Sequence, residues 1–150
     1  MRLENGFEVA ASLDEAWALL NDVPRIVPCI PGAQLVETLG DDAWKATMQV
    51  KLGPIGLQFL VDVRREEADA AGRRTRLRAE AREQKGRGGA RATIESSLEP
   101  SGEGSRVSIV TDLSLQGPVA QYGRGVVPQV AAQITSQFAA CLARELGQPS

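Results

Sequence analysis

Between Trp44 and Leu115 apolar and polar residues alternate so regularly that the chain is committed to strands with one dry face and one wet face. Trp44, Ala46, Met48, Val50 and Leu52 alternate with Lys45, Thr47, Gln49 and Lys51, and after a Gly53-Pro54 turn Ile55, Leu57, Phe59, Val61 and Val63 alternate in turn. Leu77, Ala79 and Ala81 then face inward, opposite in sense to Arg76, Arg78, Glu80 and Arg82. A turn at Lys85–Gly89 leads to Ala90, Ala92, Ile94, Ser96 and Leu98. Beyond Pro100–Gly104 come Val107, Ile109, Thr111, Leu113 and Leu115. With Leu3–Val9 and Gln34–Leu39 the pattern predicts seven strands, nearly all joined by short turns.

Helical signals lie outside this block. Ser12-Leu13-Asp14-Glu15 is a capping box, in which the Ser12 hydroxyl accepts from the Glu15 N–H and the Glu15 carboxylate reaches back to the Ser12 N–H. Ala16, Trp17, Leu19 and Leu20 continue a short helix, and a second starts with Asp22 as cap and Pro24 in its first turn. Pro28, Pro31 and Gly32 force an extended exit. At the other end Tyr122, Val126, Val130, Ile134, Phe138, Leu142 and Leu146 recur every four residues as one apolar stripe. Pro128 interrupts it, which predicts a kink or a short first helix.

An antiparallel sheet with one apolar face must cover that face, and the final helix is long enough to do so. The expected fold is therefore α+β, a curled seven-stranded antiparallel sheet around a long C-terminal helix, with two short helices after the first strand. Residues 1–146 form one domain in this reading, and 147–150 a short disordered end. The 150 residues include 20 alanines and six aromatics, so the interior is built from modest side chains. Inward positions on two consecutive strands are Ala79, Ala81, Ala90, Ala92 and Ser96, where larger residues would normally fill volume. Two readings compete. Either the helix packs closely over small residues, or an apolar pocket remains, walled by Met48, Phe59, Val61, Tyr122, Val126, Val130 and Ile134. The second is preferred, and a ligand would enter past Pro28, Ile30 and Pro31 and the turn at Pro54 and Ile55.

Chemistry is limited by what is missing. Without histidine there is no Ser-His-Asp system, no imidazole acid–base catalyst and no His-ligated metal. Cys29 and Cys141 are too few for a disulfide framework, and the simpler expectation is a reduced, cytoplasmic protein. Most carboxylates fall at outward positions, caps or turns, as Asp22, Asp62 and Asp112 do. Tyr122, the sole phenol, could bond a ligand carbonyl or simply edge the core. The opening Met1-Arg2-Leu3-Glu4-Asn5 is not a signal peptide, and no stretch approaches a transmembrane span. A net charge of −2 gives no general reason to bind nucleic acid. One basic cluster does stand out, namely Arg73, Arg74, Arg76, Arg78, Arg82, Lys85, Arg87 and Arg91 on one hairpin and its turn. It is either a solvated face or a contact for anionic lipid or an acidic protein. No aromatic is interleaved to stack bases, so nucleic acid is not expected there.

Leu3–Val9, the Trp17 helix, Pro28-Cys29-Ile30-Pro31-Gly32-Ala33, Val50-Lys51-Leu52-Gly53-Pro54-Ile55 and Gly117-Pro118-Val119-Ala120-Gln121-Tyr122-Gly123-Arg124-Gly125 together resemble the CoxG family of carbon monoxide dehydrogenase subunits. That family belongs to the START/Bet v 1-like (SRPBCC) superfamily of helix-grip folds, and the resemblance spans essentially residues 1–146. It implies a non-catalytic accessory of aerobic carbon monoxide dehydrogenases and related molybdenum hydroxylases. Such an accessory binds a quinone (menaquinone or ubiquinone) or a lipid in its apolar cavity, and assists membrane association or electron delivery to quinone. It implies no metal ligands. The chain ends at Gly147-Gln148-Pro149-Ser150 without the apolar tail of longer relatives, so only the basic hairpin is expected to touch the inner face of the plasma membrane. Two alternatives stand beside it: an aromatase/cyclase-like enzyme of the same fold, with Tyr122, Asn5, Ser96 and Thr111 as its polar constellation, and an assembly factor acting through its surface alone.

Overall fold

In the computed structural model, which describes residues 1–123 and 125–147 (Tyr122 by its backbone alone), seven strands form one antiparallel sheet in the order β1-β7-β6-β5-β4-β3-β2. The strands are β1 (Arg2–Val9), β2 (Ala33–Thr38), β3 (Ala43–Leu52), β4 (Ile55–Asp69), β5 (Arg74–Glu83), β6 (Gly89–Ser101) and β7 (Gly104–Gln116). Consecutive strands from β2 to β7 pair as hairpins, and β1 closes onto β7 with Asn5 opposite Ile109. The strands β4 to β7 outrun the strict alternation of the sequence. In β4 a register shift between Arg65 and Glu67 lets pairing with β5 continue to Asp69.

Four helices follow the expected plan: α1 (Leu13–Leu20), α2 (Val23–Ile26), α3 (Pro118–Gly123) and α4 (Val127–Glu145), with a 3-10 turn at Val27–Cys29. Ser12 caps α1 by accepting from the Glu15 N–H at 3.2 Å. The Glu15 carboxylate accepts from the Ser12 hydroxyl, not from the Ser12 N–H that the motif predicts. Asp22 occupies the cap position of α2 but makes no side-chain cap bond, so its backbone carbonyl does the work, accepting from Arg25 and Ile26. The interruption at Pro128 becomes a short first helix. Pro128 lies in the first turn of α4, where its missing N–H would have had no helical partner anyway.

Two glycines of the motif segments are demanded by backbone geometry. Gly32 has φ +81, and a Cβ there would lie 2.3 Å from the Gln49 carbonyl oxygen. Gly117 has φ +72 and stacks on Gly88, letting the chain leave β7 so tightly that the Val119 N–H reaches the Arg87 carbonyl at 2.8 Å.

The structure corrects one expectation outright. Cys29 and Cys141 are joined in a disulfide, with Cα atoms 5.3 Å apart and 112 residues between them in sequence. The 3-10 turn docks on α4, so Cys29, Ile26 and Leu19 share a buried cluster with Phe138 and Leu142. A count of two cysteines carries no information on that proximity. Residues 148–150, expected to be a disordered end, lie outside the described residues.

Packing is dense at the margins of the molecule. Leu52, Leu57, Phe59, Val119 and Val127 form one buried cluster. Val9, Ala11, Ala16, Leu98 and Val107 form another beneath α1, and Val23, Val27 and Trp44 a third at the β2–β3 corner. Helix α4 sits mainly on β1 and the 3-10 turn, with Phe138 edge-on to Phe7 at 6.1 Å between ring centroids. The middle of the sheet lies between these clusters and belongs to none of them.

A hollow between sheet and helix

The inward rows of the sheet explain the gap. Ala79 of β5 pairs with Ala92 of β6, and Ala81 with Ala90. Four single methyl groups therefore face α4 where the neighbouring strands present Val61, Leu113 and Leu115. A helix already docked against β1 and the 3-10 turn cannot also descend onto four methyls. The result is a cavity of about 420 Å³ whose walls are overwhelmingly apolar. This volume lies in the range of small-molecule sites, and the four alanines are only half-buried although they sit on the inner face.

Of the residues read as wall from sequence, Met48, Phe59, Val61, Ala79, Ala81, Ala90, Ala92, Ser96 and Ile134 line this cavity. Val126 and Val130 do not. They pack instead against the cluster of Leu52, Phe59 and Val127, because the chain turns at Gly125 and puts the first turn of α4 at the closed margin. The side chain of Tyr122 lies outside the described residues. Of the residues read as a gate, Ile30 reaches the cavity wall. Pro28 and Pro54 are exposed, Pro31 is half-buried, and Ile55 packs into the Leu52 cluster, so these four do not touch the cavity.

Wall residues that the sequence pattern does not single out include Trp17 and Leu20 of α1, Leu77, Ile94, Leu113 and Leu115. The alternation already marks the strand residues as inward; what it cannot show is which inward residues meet a neighbour and which meet a void.

The polar part of the wall is small and local. Asn5, Thr75, Ser96 and Thr111 lie within two adjacent rows of the sheet, under Trp17 and Leu20. The buried Thr75 hydroxyl donates to Asn21 Oδ1 at 2.9 Å. Arg73, which has φ 53, contributes the one charged side chain among the described wall residues, and its guanidinium is paired with Asp14 at the start of α1. No titratable pair converges on the cavity, and among the described residues no cluster of His, Cys, Asp or Glu is arranged to hold a metal.

The basic hairpin is more neutral than its sequence. Arg76 pairs with Glu66 and Glu67, Arg78 with Glu66 and Glu80, and Arg73 with Asp14, while Arg87 donates to the Gly56 carbonyl at 2.9 Å. Two of these partners, Glu66 and Glu67, come from the β4 bulge. Arg74, Arg82, Lys85 and Arg91 have no ion pair among the described residues.

A curled antiparallel sheet gripping a C-terminal helix, with an apolar hollow between them, defines a helix-grip domain of the hydrophobic-ligand-binding class. Solved structures share the fold over nearly the whole chain. A conserved protein from Geobacillus kaustophilus has a TM-score of 0.85 at 21% identity, covering 98% of this chain and 95% of its own. The Zhui aromatase/cyclase from Streptomyces sp. R1128 has a TM-score of 0.64 at 16% identity, covering 96% and 94%. Norcoclaurine synthase from Thalictrum flavum has a TM-score of 0.63 at 15% identity, covering 99% and 87%. Comparison with curated protein sequences gives no match. The family model for CoxG, the G-type carbon monoxide dehydrogenase subunit, matches residues 6–147, and the chain belongs to that family. Among the described residues no helix is long and apolar enough to cross a membrane.

Proposed function

We propose that this protein is a non-catalytic carrier that holds a long apolar molecule, a quinone or a lipid, between α4 and the sheet. It serves as an accessory of a carbon monoxide dehydrogenase-type molybdenum hydroxylase. The observation that carries the reading is the 420 Å³ apolar hollow, maintained by four paired alanines in a domain that otherwise packs densely. The description of the matching family supports the association with the dehydrogenase. Turnover of the aromatase/cyclase kind would need a proton donor or acceptor in the cavity. Asn5, Ser96, Thr75 and Thr111 are neutral, and Arg73 is already paired. Membrane exchange at the inner face of the plasma membrane would use Arg74, Arg82, Lys85 and Arg91.

Ala92→Trp tests the hollow. An indole built at Ala92, opposite Ala79 and Leu113, would occupy space assigned to the ligand. Losing contact with about three methylenes at ~0.8 kcal/mol each weakens binding roughly fiftyfold. Menaquinone titrated into wild type and variant reads the effect. Equal affinities in two folded proteins would reject the site.

A further inference from the structure

The polar residues of the wall are placed in a way that restricts what the hollow can accept. This inference rests on the carrier reading and adds the chemistry of the occupant. Asn5 and Ser96 both pair across the ladder with Ile109, one from each side, and Thr111 stands one row further along β7 between them. The register therefore sets three polar side chains in a triangle whose members are diagonal or next-strand neighbours. Among the described residues none of the three makes a side-chain hydrogen bond, whereas Thr75 is spent on Asn21 and Thr135 on the Ala131 carbonyl. One row further on, Val107 and Leu98 are buried beneath α1, so the triangle lies beside a closed end of the cavity.

A filled cavity removes water from these three groups. A pure hydrocarbon would leave an amide and two hydroxyls with nothing in exchange. An anionic head would fare no better, because the charged wall residue Arg73 is already paired with Asp14. We infer that the occupant is a neutral amphiphile whose carbonyl or hydroxyl group sits among Asn5, Ser96 and Thr111, with its hydrocarbon part over the alanines of β5 and β6.

Three probes separate the possibilities: diphenylhexatriene, a fluorescent hydrocarbon that reports on the hollow itself, and 2-tridecanone and dodecanoate, which carry the same alkyl tail on a ketone or a carboxylate. At about pH 8, where dodecanoate is ionised, 2-tridecanone should displace diphenylhexatriene from the wild-type protein at least roughly tenfold more tightly than dodecanoate does. In Asn5→Leu/Thr111→Val, the affinity for the ketone should fall roughly five- to tenfold, while diphenylhexatriene binds within about twofold of wild type. Equal binding of ketone and carboxylate by the wild-type protein, a preference for the carboxylate, or full ketone affinity in the folded variant would overturn the head-group site. Wild-type protein that takes up no diphenylhexatriene would instead overturn the carrier reading beneath it.

Discussion

Glu83 occupies a position on β5 where the alternation calls for an inward residue, and it is buried. Its carboxylate accepts from the backbone N–H groups of Gln58 at 3.0 Å, Lys85 at 2.8 Å and Arg87 at 3.3 Å, pinning the turn after β5 to β4. Bonds to the charged form, led by that from Gln58, hold its pKa below the ordinary 4.5 against the opposing effect of burial. With the folded pKa depressed, the stabilisation is present above 4.5 and fades as pH falls through the folded value. Glu83→Gln should therefore melt lower at neutral pH and lose less than wild type on acidification. Parallel melting curves at all pH values would contradict this role. Arg65 shows another limit of reading residues one at a time. It donates to Asp42 Oδ1, the Asn21 carbonyl and the Asp41 carbonyl, and lies over Trp44 at 5.1 Å. In sequence it is one arginine among many, because its partners come from a loop and a helix end remote in the chain. The inward alanines, by contrast, were legible at once.

Among the elements, the strands were legible because period-two patterning is set by burial on one face. The helical end was legible only in part. The four-residue stripe placed Val126 and Val130 with Ile134, yet the break before Pro128 rotates the early residues to a packed margin while Ile134 stays over the void. The disulfide was not legible, since it depends on the docking of a 3-10 turn against α4. It holds the segment carrying Ile30, a wall residue, to the helix that roofs the cavity. A bridge spanning 112 residues contributes up to roughly 4–5 kcal/mol by the chain-entropy estimate. Cys29→Ser/Cys141→Ser should accordingly unfold at a markedly lower temperature than the oxidised wild type, and reductant should lower the wild type to the same point. A melting temperature indifferent to both treatments would show that the packing of Leu19, Ile26 and Phe138 alone holds the turn.

At the scale of the whole molecule, the fold follows from one constraint: a long apolar sheet face and a single long amphipathic helix to cover it. That the cover would stand off was suggested by small residues at consecutive inward positions. The volume was not, because it depends on where α4 docks, and that is decided by Phe7, Phe138 and the cysteine bridge far from the alanines. Surface charge was likewise hard to read, since Arg76 and Arg78 find carboxylates across a bulge that alternation does not predict. What unites these features is a domain solid at its margins and hollow at its centre. Native mass spectrometry of the wild-type protein with added menaquinone, followed by extraction of the bound species, tests that claim most directly. The account predicts a complex of one quinone per chain in the wild type and bare protein for Ala92→Trp. A wild-type chain that remains bare at saturating quinone would contradict it.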